Sequence, residues 1–522
     1  IKNITDFYKE LSDNNVVFDQ FKRKEIIYNK ISEICKKHKL KTIDILENSP
    51  LLQDVVGLTE FPNISIAKID QKFMSLPKEV LTLTAKNHQK YFCLQDSNGN
   101  LAPYFIFVSN VKINKKIIAD NEKVLTARLS DAKFFIEEDL KISFEDRLDK
   151  LKNIIFYNNL GTIYDKVKRI NALNKLLAIW IPNSDLSIIE KLANLAKNDL
   201  TTKCVAELPE LQGIIGGYYI EKQDQNNILS QAVAEHYLPL GPNSPIPKTP
   251  LGSLLSLSDK IDTISALFLA GKEPTSSKDP MALRRAALGI IRIIIHNNLA
   301  IPLRLIVDKS INNFPIKLIR TNHCDKKSKE IKQIKAGATL KIIEFIVERL
   351  KSVLKDDLNI KADIVNSLLS HYFDKIHANR KFDINQLVSK AKFINNFVKD
   401  ESSNNIISLY KRAVNIVNIE EKKDGKSYDS RPHLLLMKSK YEKNLYKKTK
   451  SINHSIKKLL KGNKYEEIFV LFLELEKPLN QFFDNLKIND DSQNIRENRL
   501  LILAKIRSLF NVIFDFSQIE TK

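Results

Sequence analysis

The hydrophobic residues of this 522-residue chain recur mainly at three- and four-residue steps, the period of an amphipathic helix. This spacing runs through residues 1–50 and returns from residue 121 to residue 400. Between Val55 and Val111 the apolar residues instead form short runs typical of strands. These runs are Ile64–Ile69, Tyr91–Gln95 and Tyr104–Val108, with a hairpin signal at Asn98-Gly99. We therefore expect a mainly α, multidomain protein with one small α/β module near the N-terminus.

Several side chains in this first part of the chain have a structural and a functional interpretation. The apolar positions predicted to pack as a helical core are Phe18, Phe21, Ile26, Ile27, Ile31 and Ile34. Tyr91 and Phe92 are expected in a core, with stacking on a base as the alternative. His88 and Lys90 beside them are either functional or plain surface residues. Arg128 and Asp131, three residues apart, predict a structural ion pair.

Two predicted helices within Leu251–His296 are joined by a hydroxyl-rich, basic loop. The first helix buries one apolar face and carries Asp259 and Asp262 on another. The second is predicted to begin with Asp279 as N-cap and Pro280 at its first position. The basic residues of this loop and second helix are Lys278, Arg284, Arg285, Arg292 and His296. Such a strip is suited to phosphates.

The segment Lys440–Lys461 predicts a helix with one apolar face and one basic stripe. The stripe consists of Lys440, Lys443, Lys447, Lys450, His454, Lys457 and Lys461. A later helix adds Arg496, Arg499 and Arg507. The stripe either tracks a phosphate backbone or is a solvated face of a lysine-rich protein. The arginine clusters favour RNA, because arginine makes forked, bidentate phosphate contacts.

Composition supports an anionic partner, since 83 basic and 62 acidic residues give a net charge of +21. Part of that charge reflects a richness in Ile, Lys and Asn, the drift expected where AAA and ATT codons abound. The four cysteines are scattered and form no CxxC pair, so a reducing cytoplasm fits better than a disulfide framework or a zinc ribbon. No apolar run is long enough to span a membrane. The scattered glycines form no phosphate-binding loop for ATP.

A metal-dependent phosphohydrolase of the His-Asp type requires a His-Asp doublet and further ligands on neighbouring helices. Asp199, His236 and Asp259 lie at suitable intervals on three predicted helices. Asn198 stands where the ligand histidine is needed, and a side-chain amide is a poor ligand for transition metals. We therefore expect a degenerate His-Asp-type domain without a metal, in which these three residues are vestigial. An active phosphohydrolase is the alternative.

The charged, apolar-poor connector Glu420–Pro432 predicts a domain boundary. The predicted divisions are a helical packing segment at 1–50, the α/β module at 51–145, the degenerate His-Asp-type domain at 146–300, a helical body at 301–425 and a C-terminal helical bundle at 426–522. Ile1 is not an initiator methionine, so we expect the true N-terminus to lie upstream.

The residues resemble one family closely, the β subunit of the bacterial heterotetrameric glycyl-tRNA synthetase. The matching stretches are HQKYF (His88–Phe92), NEKVLTARLSDAKFFIEEDL (Asn121–Leu140), LGTIYDKVKRI (Leu160–Ile170), ELPELQGIIGGYY (Glu207–Tyr219), EHYLP (Glu235–Pro239), SDKIDT (Ser258–Thr263), PTSSKDPMALRRAALGIIRI (Pro274–Ile293) and ENRLLILAKIRSLF (Glu497–Phe510). One departure is Ser276, where the family usually has glycine. The family's usual N-terminal segment is missing.

The resemblance implies a non-catalytic subunit that grips tRNA(Gly) while an α subunit, in an α2β2 enzyme, carries the ATP, magnesium and glycine chemistry. It implies no cofactor in this chain and no membrane partner. It also implies a His-Asp-like domain near the acceptor end and an anticodon-binding domain at the C-terminus. The expected acceptor-arm contacts are Lys278, Arg284, Arg285 and Arg292. The expected anticodon-arm contacts are Lys440, Lys443, Lys447, Lys450, Arg496, Arg499 and Arg507. A general RNA-binding scaffold without a synthetase partner is a further alternative.

Overall fold

A computed structural model of the chain describes residues 3–44, 49–157, 159–275, 278–279, 281–315, 328–376, 383–462 and 464–519. Three residues named above, Ile1, Ser276 and Pro280, lie outside these ranges, as does the side chain of Lys461. Helices dominate the described residues, and the expectation of a mainly helical protein with one small sheet is confirmed. None of the described helices is both long enough and apolar enough to cross a bilayer.

The chain divides into two compact units. The first comprises Ile1–Asn171, Asp185–Tyr237 and Pro247–Ser256, and the second comprises Ala172–Ser184, Leu238–Ile246 and Leu257–Lys522. The five-part division expected from the sequence stays a prediction.

The helices up to residue 269 are α1 (Ile4–Asp13), α2 (Gln20–His38), α3 (Pro50–Leu58), α4 (Lys78–Leu83), α5 (Lys115–Leu140), α6 (Ile163–Leu177), α7 (Ile189–Leu195), α8 (Lys203–Glu207), α9 (Ile214–Asp224), α10 (Asn227–Glu235) and α11 (Pro250–Leu269). Those that follow are α12 (Leu283–His296), α13 (Leu303–Asn312), α14 (Ser328–Ser352), α15 (Ala362–Ile376), α16 (Ile384–Lys399), α17 (Asn404–Asp424), α18 (Lys440–Lys461), α19 (Tyr465–Leu473), α20 (Glu476–Asn485) and α21 (Gln493–Asn511). Short 3-10 and π turns connect several of them.

The sheet of the first unit contains β1 (Lys41–Thr42), β2 (Asn63–Lys68), β3 (Phe92–Gln95) and β4 (Leu101–Ser109). The strand order is β1-β3-β4-β2, and all three pairings are antiparallel. The three predicted strands and the hairpin between β3 and β4 are confirmed. The segment 1–50, expected to be helical, contains α1 and α2 and in addition β1, which pairs with β3. Two residues are too short a strand to leave a period in the sequence.

The core beside the sheet combines α2, α3 and three strands. Ile27 and Ile31, four residues apart on α2, are fully buried in it together with Phe92 and Ile106. The prediction that Phe18 and Phe21 pack in this core is wrong, since they are 55% and 74% exposed. Phe18 precedes the helix, and Phe21 lies six residues before Ile27, on another face of it. Tyr91 and Phe92 are buried, which confirms their assignment to the core.

The C-terminal part of the second unit is a helical bundle with an aromatic core. Phe472 and Phe510 stack with their ring centroids 4.1 Å apart, and Phe516 packs edge-on against both. The expected start of this bundle at residue 426 stays a prediction. The preceding helix α17 also packs against α21.

A buried ion pair joins the C-terminal end of α5 to the segments that follow it. Asp139 accepts hydrogen bonds from the backbone N–H groups of Lys203 and Cys204 and from the Tyr219 hydroxyl, each at 3.0 Å. The Arg147 guanidinium donates to the Asp139 carboxylate at 3.2 Å and to its carbonyl at 2.7 Å. Asp139, Arg147, Cys204 and Tyr219 are all buried, so this carboxylate joins residues far apart in sequence inside the core.

We expect Asp139→Ala to destabilise the first unit by about 3–5 kcal/mol, because it leaves the Arg147 charge buried and uncompensated. We expect the Tm to fall by roughly 6 °C or more. Calorimetry of the full chain measures this change. Asp131→Ala is the matched control on the same helix, since Asp131 is exposed. Equal Tm values for the two variants would refute a structural role for Asp139.

Candidate nucleic-acid interface

The helix α12 and the loop before it carry the first group of predicted RNA contacts. The helix begins at Leu283, so the prediction of Asp279 as N-cap residue is wrong. The chain turns at Asp279 and passes through a left-handed conformation at Ala282, which delays the helix. The Asp279 carboxylate nevertheless accepts from the N–H groups of Leu283 and Arg284 at 2.9 Å. The Asp279 side chain therefore caps the first turn, although Asp279 lies four residues before the start of the helix.

The four predicted acceptor-arm residues occupy different environments. Lys278 and Arg285 are exposed, and within the described residues neither side chain has an ion-pair or hydrogen-bond partner. The Arg284 guanidinium donates to the carbonyl of Thr275. Arg292 donates to the carbonyls of Gly241 and Ser244 at 2.8 and 2.9 Å, and so clamps that loop. The structure thus leaves Lys278 and Arg285 open to a ligand and gives the other two arginines internal bonds.

Gly289 on α12 packs closely against the side chain of Lys260. A Cβ atom at this position would lie 2.9 Å from Cε of Lys260. Lys260 is buried there, and its ammonium donates to the carbonyl of Leu238 at 2.9 Å. The missing side chain therefore allows the lysine to cross the helix.

The helix α18 presents the second group of predicted contacts on one exposed face. Its apolar side packs inward through Leu445, Ile452 and Ile456. The exposed basic residues are Lys440, Lys443, Lys447, Lys450, His454, Lys457 and Lys458. Within the described residues, Lys443, Lys447 and Lys450 have no carboxylate partner. The face is therefore an uncompensated row of positive charge, as the sequence period predicts.

Lys448 differs from these residues, because it bonds to Glu474 at 2.5 Å. The acidic residue of α18, Glu442, is buried and completes a capping box with Ser439 at the start of the helix. No carboxylate on α18 therefore offsets the exposed row.

The three predicted anticodon-arm arginines of α21 make ion pairs inside the bundle. Arg496 contacts Glu420 and lies 2.8 Å from Asp424. Arg499 contacts Glu442 at 2.7 Å and Asp490 at 2.8 Å. These bonds engage guanidinium groups that were expected to face phosphates, so direct contact of these arginines with RNA stays a prediction.

Arg507 makes the third of these connections, to Glu421 on α17 at 2.7 and 2.8 Å and to Asn418 at 2.8 Å. The Arg507 guanidinium beside Glu421 holds the pKa of that carboxyl below its usual range. Arg496 has the same effect on the pKa of Glu420. These carboxylates therefore remain ionised, and the ion pairs persist, in mildly acidic solution.

The vestigial metal-site candidates of the first unit, Asp199 and His236, are fully buried. Burial raises the pKa of Asp199 to about 6, and its carboxylate accepts from the N–H of Gly213 at 2.6 Å. Gly213 has a φ of +79°, and a Cβ atom there would lie 2.8 Å from the Tyr237 ring. Glycine at this position therefore lets the backbone turn its N–H group toward Asp199.

Sequence reasoning missed a lysine that stands where a metal ion would approach His236. The Nζ of Lys197 lies 3.0 Å from Nε2 of His236, while Nδ1 of the same ring lies 2.6 Å from the carbonyl of Val233. A carbonyl only accepts, so Nδ1 carries the proton and Nε2 accepts from the lysine. The nitrogen that would bind a metal is thus already bonded to a cation. The signal was present in the sequence, because Lys197 directly precedes Asn198 and Asp199.

The third vestigial candidate, Asp259, is buried on the part of α11 that belongs to the second unit. Asn198, in the place of the ligand histidine, donates to the carbonyl of Phe144 at 2.7 Å. Across the described ranges, no group of three or more His, Cys, Asp or Glu residues is arranged to hold a metal ion. The degenerate His-Asp-type domain stays a prediction.

Comparison with known proteins agrees with this geometry. A profile described as "Glycyl-tRNA synthetase beta subunit" matches residues 1–370, and one described as "DALR anticodon binding domain" matches residues 406–521. The glycine–tRNA ligase β subunit of Buchnera aphidicola subsp. Schizaphis graminum is 38% identical over 99% of this chain and 71% of its own length. That of Rickettsia bellii is 36% identical over 99% and 71%, and that of Rickettsia prowazekii 35% identical over 99% and 72%.

The C-terminal bundle with its basic helix is therefore a helical domain of the DALR anticodon-binding class, found here in a subunit of an aminoacyl-tRNA synthetase. The chain belongs to the glycyl-tRNA synthetase β-subunit family. The resemblance noted from the sequence motifs is confirmed.

We expect Arg507→Met to destabilise the bundle by roughly 1–3 kcal/mol at pH 7, because charged hydrogen bonds to Glu421 are lost. Since the folded-state pKa of Glu421 is lowered, this contribution is complete above the unfolded pKa of about 4.3 and disappears as pH falls through the lowered folded value. Thermal unfolding of both chains at pH 7 and pH 3.5 checks this. A Tm difference that does not shrink in acid would contradict it.

We expect the unaltered chain to retain no stoichiometric zinc or manganese when metal content is measured by mass spectrometry. Asn198→His restores a ligand side chain, yet we expect it to remain metal-free because the Lys197 ammonium is bonded to His236. The contrasting variant combines Asn198→His with Lys197→Ala, which also removes the ammonium bonded to His236. Stoichiometric metal in the unaltered chain would contradict the prediction and revive the phosphohydrolase alternative.

Proposed function

We propose that this chain is the tRNA-binding, non-catalytic β subunit of glycyl-tRNA synthetase. It positions tRNA(Gly) for ATP-dependent glycylation by an α chain in the cytoplasm. The observation that carries the proposal is the exposed lysine row of α18 inside the domain matched by the anticodon-binding profile. An uncompensated row of cations along one helix face suits a continuous phosphate backbone.

The proposed contacts of the anticodon arm are the α18 lysines rather than the α21 arginines. Lys443, Lys447 and Lys450 recur at three- and four-residue steps, so one strand can pass along them. The α21 arginines support this surface indirectly, since Arg499 is bonded to Glu442 on α18. Lys440 extends the row by one turn and lies over the Tyr441 ring at 5.2 Å.

The proposed contacts of the acceptor arm are Lys278 and Arg285. Both are exposed, and Arg285 projects from the first turn of α12. Arg292 is assigned to holding the loop at Gly241 and Ser244, with Arg284 holding Thr275. These two arginines shape the surface to which the exposed pair belongs.

The division of labour between two subunits follows from the names of the relatives and from the sequence. Those relatives are called β subunits, which implies a partner chain. We assign the binding of ATP, magnesium and glycine to that α chain, in an α2β2 enzyme, because the scattered glycines here form no phosphate-binding loop. Glycylation by this chain without an α chain would contradict the assignment.

We expect the triple variant Lys443→Glu, Lys447→Glu, Lys450→Glu to bind tRNA(Gly) roughly tenfold or more weakly at physiological salt. Its plot of log K against log salt should be shallower by about 2 to 3, because that many phosphate contacts no longer release counterions. Filter binding of labelled tRNA(Gly) by the full chain between about 50 and 300 mM salt, over which the Debye length falls by a factor of about 2.4, measures both quantities.

Lys448→Glu is the matched control, since Lys448 lies on the same helix but is already neutralised by Glu474. We expect it to leave the tRNA affinity within about twofold, as for a charge away from the phosphates. An unaltered salt slope in the triple variant would count against the α18 row. Equal losses of tRNA affinity in the triple variant and the control would show that the effect depends on net charge alone.

A further inference from the structure

The exposed face of α5 carries apolar and charged side chains next to one another. Val124 and Phe134 are 43% and 53% exposed on it. Arg128 and Asp131 lie between them on the same face, since these positions follow one another at three- or four-residue steps. We call Val124, Arg128, Asp131 and Phe134 the α5 face. Aromatic residues and arginine are enriched in protein-binding surfaces, and this face exposes one of each.

The charged pair of this face does not form the expected bond. Arg128 and Asp131 have the spacing of a helical ion pair, and the sequence predicted one. Within the described residues neither side chain makes an ion pair or a hydrogen bond, so that prediction is wrong. Elsewhere on the same helix polar groups are paired: Glu122 accepts from the N–H of Lys68 at 2.8 Å, and Asn121 accepts from the Tyr91 hydroxyl at 2.6 Å. The α5 face therefore keeps its charges available.

A narrow cleft of about 20 Å³ opens beside the α5 face. Besides Arg128 and Asp131, it is lined by His88, Glu207 and Thr84. In the described part of the chain, His88 and Glu207 have no side-chain partner either. Thr84 is 2% exposed, and its hydroxyl makes no hydrogen bond there. The volume admits only one small polar group, and the unsatisfied hydroxyl favours a group that hydrogen-bonds.

The local backbone also marks this cleft. Residues Thr84–His88 form a π turn, a wider and rarer form of helix that recurs at functional sites. It brings the buried hydroxyl of Thr84 and the ring of His88 to the same cleft.

The charge of the α5 face argues against RNA as its ligand. The helix α5 has five basic and six acidic residues in a chain with a net charge of +21, whereas α18 has eight lysines and one glutamate. A phosphate backbone approaching Arg128 would meet the carboxylates of Asp131 and Glu207 in the same cleft. A folded protein presents both signs of charge together with apolar groups and can complement all of these side chains.

We propose that the α5 face and its cleft are the docking site for the α chain of the synthetase. The assignment of the partner rests on the proposed function. Val124 and Phe134 are covered by apolar side chains of the α chain, and Arg128 and Asp131 pair with a carboxylate and a cation on it. One small polar side chain of the α chain enters the cleft and bonds to the Thr84 hydroxyl. The surface thus differs in chemistry from the lysine row that meets RNA.

Charge reversal tests this surface without disturbing the core, because both charged residues are exposed. Arg128→Glu and Asp131→Lys are made in the full chain, and association with the purified α chain is measured by sedimentation velocity and calorimetry. We expect each reversal to weaken association by at least about tenfold, while tRNA(Gly) affinity of the β chain changes by less than about threefold. A Tm within about 2 °C of the unaltered chain confirms folding.

Lys447→Glu is the matched control, expected to weaken tRNA binding and to leave α-chain association unchanged. A loss of tRNA affinity with unchanged α-chain association would assign the α5 face to RNA and overturn the proposal. Unchanged values for both ligands would also overturn it. Failure of the unaltered chain to bind the α chain at all would instead refute the proposed function, and the docking site with it.

Discussion

Ion pairs from α21 to its neighbours determine how the C-terminal bundle presents its surface. Arg496 and Arg507 connect α21 to carboxylates on α17, and Arg499 connects it to Glu442 on α18. Glu420 and Glu442 are buried and Glu421 is half-buried, so the arginines neutralise these carboxylates from within the bundle. The apolar side of α18 is then committed to the core. Its lysines are left facing solvent without acidic neighbours, and that exposed row is what remains to bind a polyanion.

The sequence predicted the lysine row but not the role of the arginines. The reason is the distance along the chain between the residues that interact. The period of α18 is local, so the residues Lys440 to Lys457 can be assigned to a face from spacing alone. The partners of Arg496 and Arg507 lie more than 70 residues earlier in the chain. No spacing rule connects them, and a basic cluster in the sequence therefore looked like a second RNA-binding site. The hairpin of β3 and β4 was predictable for the same local reason, while β1 was too short to show.

The buried cluster around His236 shows a second way in which sequence patterns mislead. Asp199 and His236 carry the residue types of a metal site, and their intervals fit one. What the pattern does not reveal is the hydrogen bond from Lys197 to the imidazole, which depends on how α10 meets the segment before Asp199. A buried cation costs free energy unless it is paired, and the neutral ring together with the Tyr237 ring at 3.8 Å provides that compensation. The Lys197 ammonium thus occupies the Nε2 atom of His236, which would otherwise bind a metal ion or a proton.

The placement of acidic residues, more than that of basic ones, separates the two proposed surfaces. Lysine is abundant throughout this chain, so an exposed lysine alone says little about function. Carboxylates are fewer, and their position decides whether a neighbouring cation attracts phosphate. On α18 the acidic residue is buried and bonded, and the row of cations acts together. On the α5 face Asp131 stands exposed beside Arg128, and Glu207 of α8 lines the same cleft; these two carboxylates would oppose RNA and favour a partner with charges of both signs. In a protein so basic, exposed carboxylates therefore carry more information about partner choice than the lysines that outnumber them.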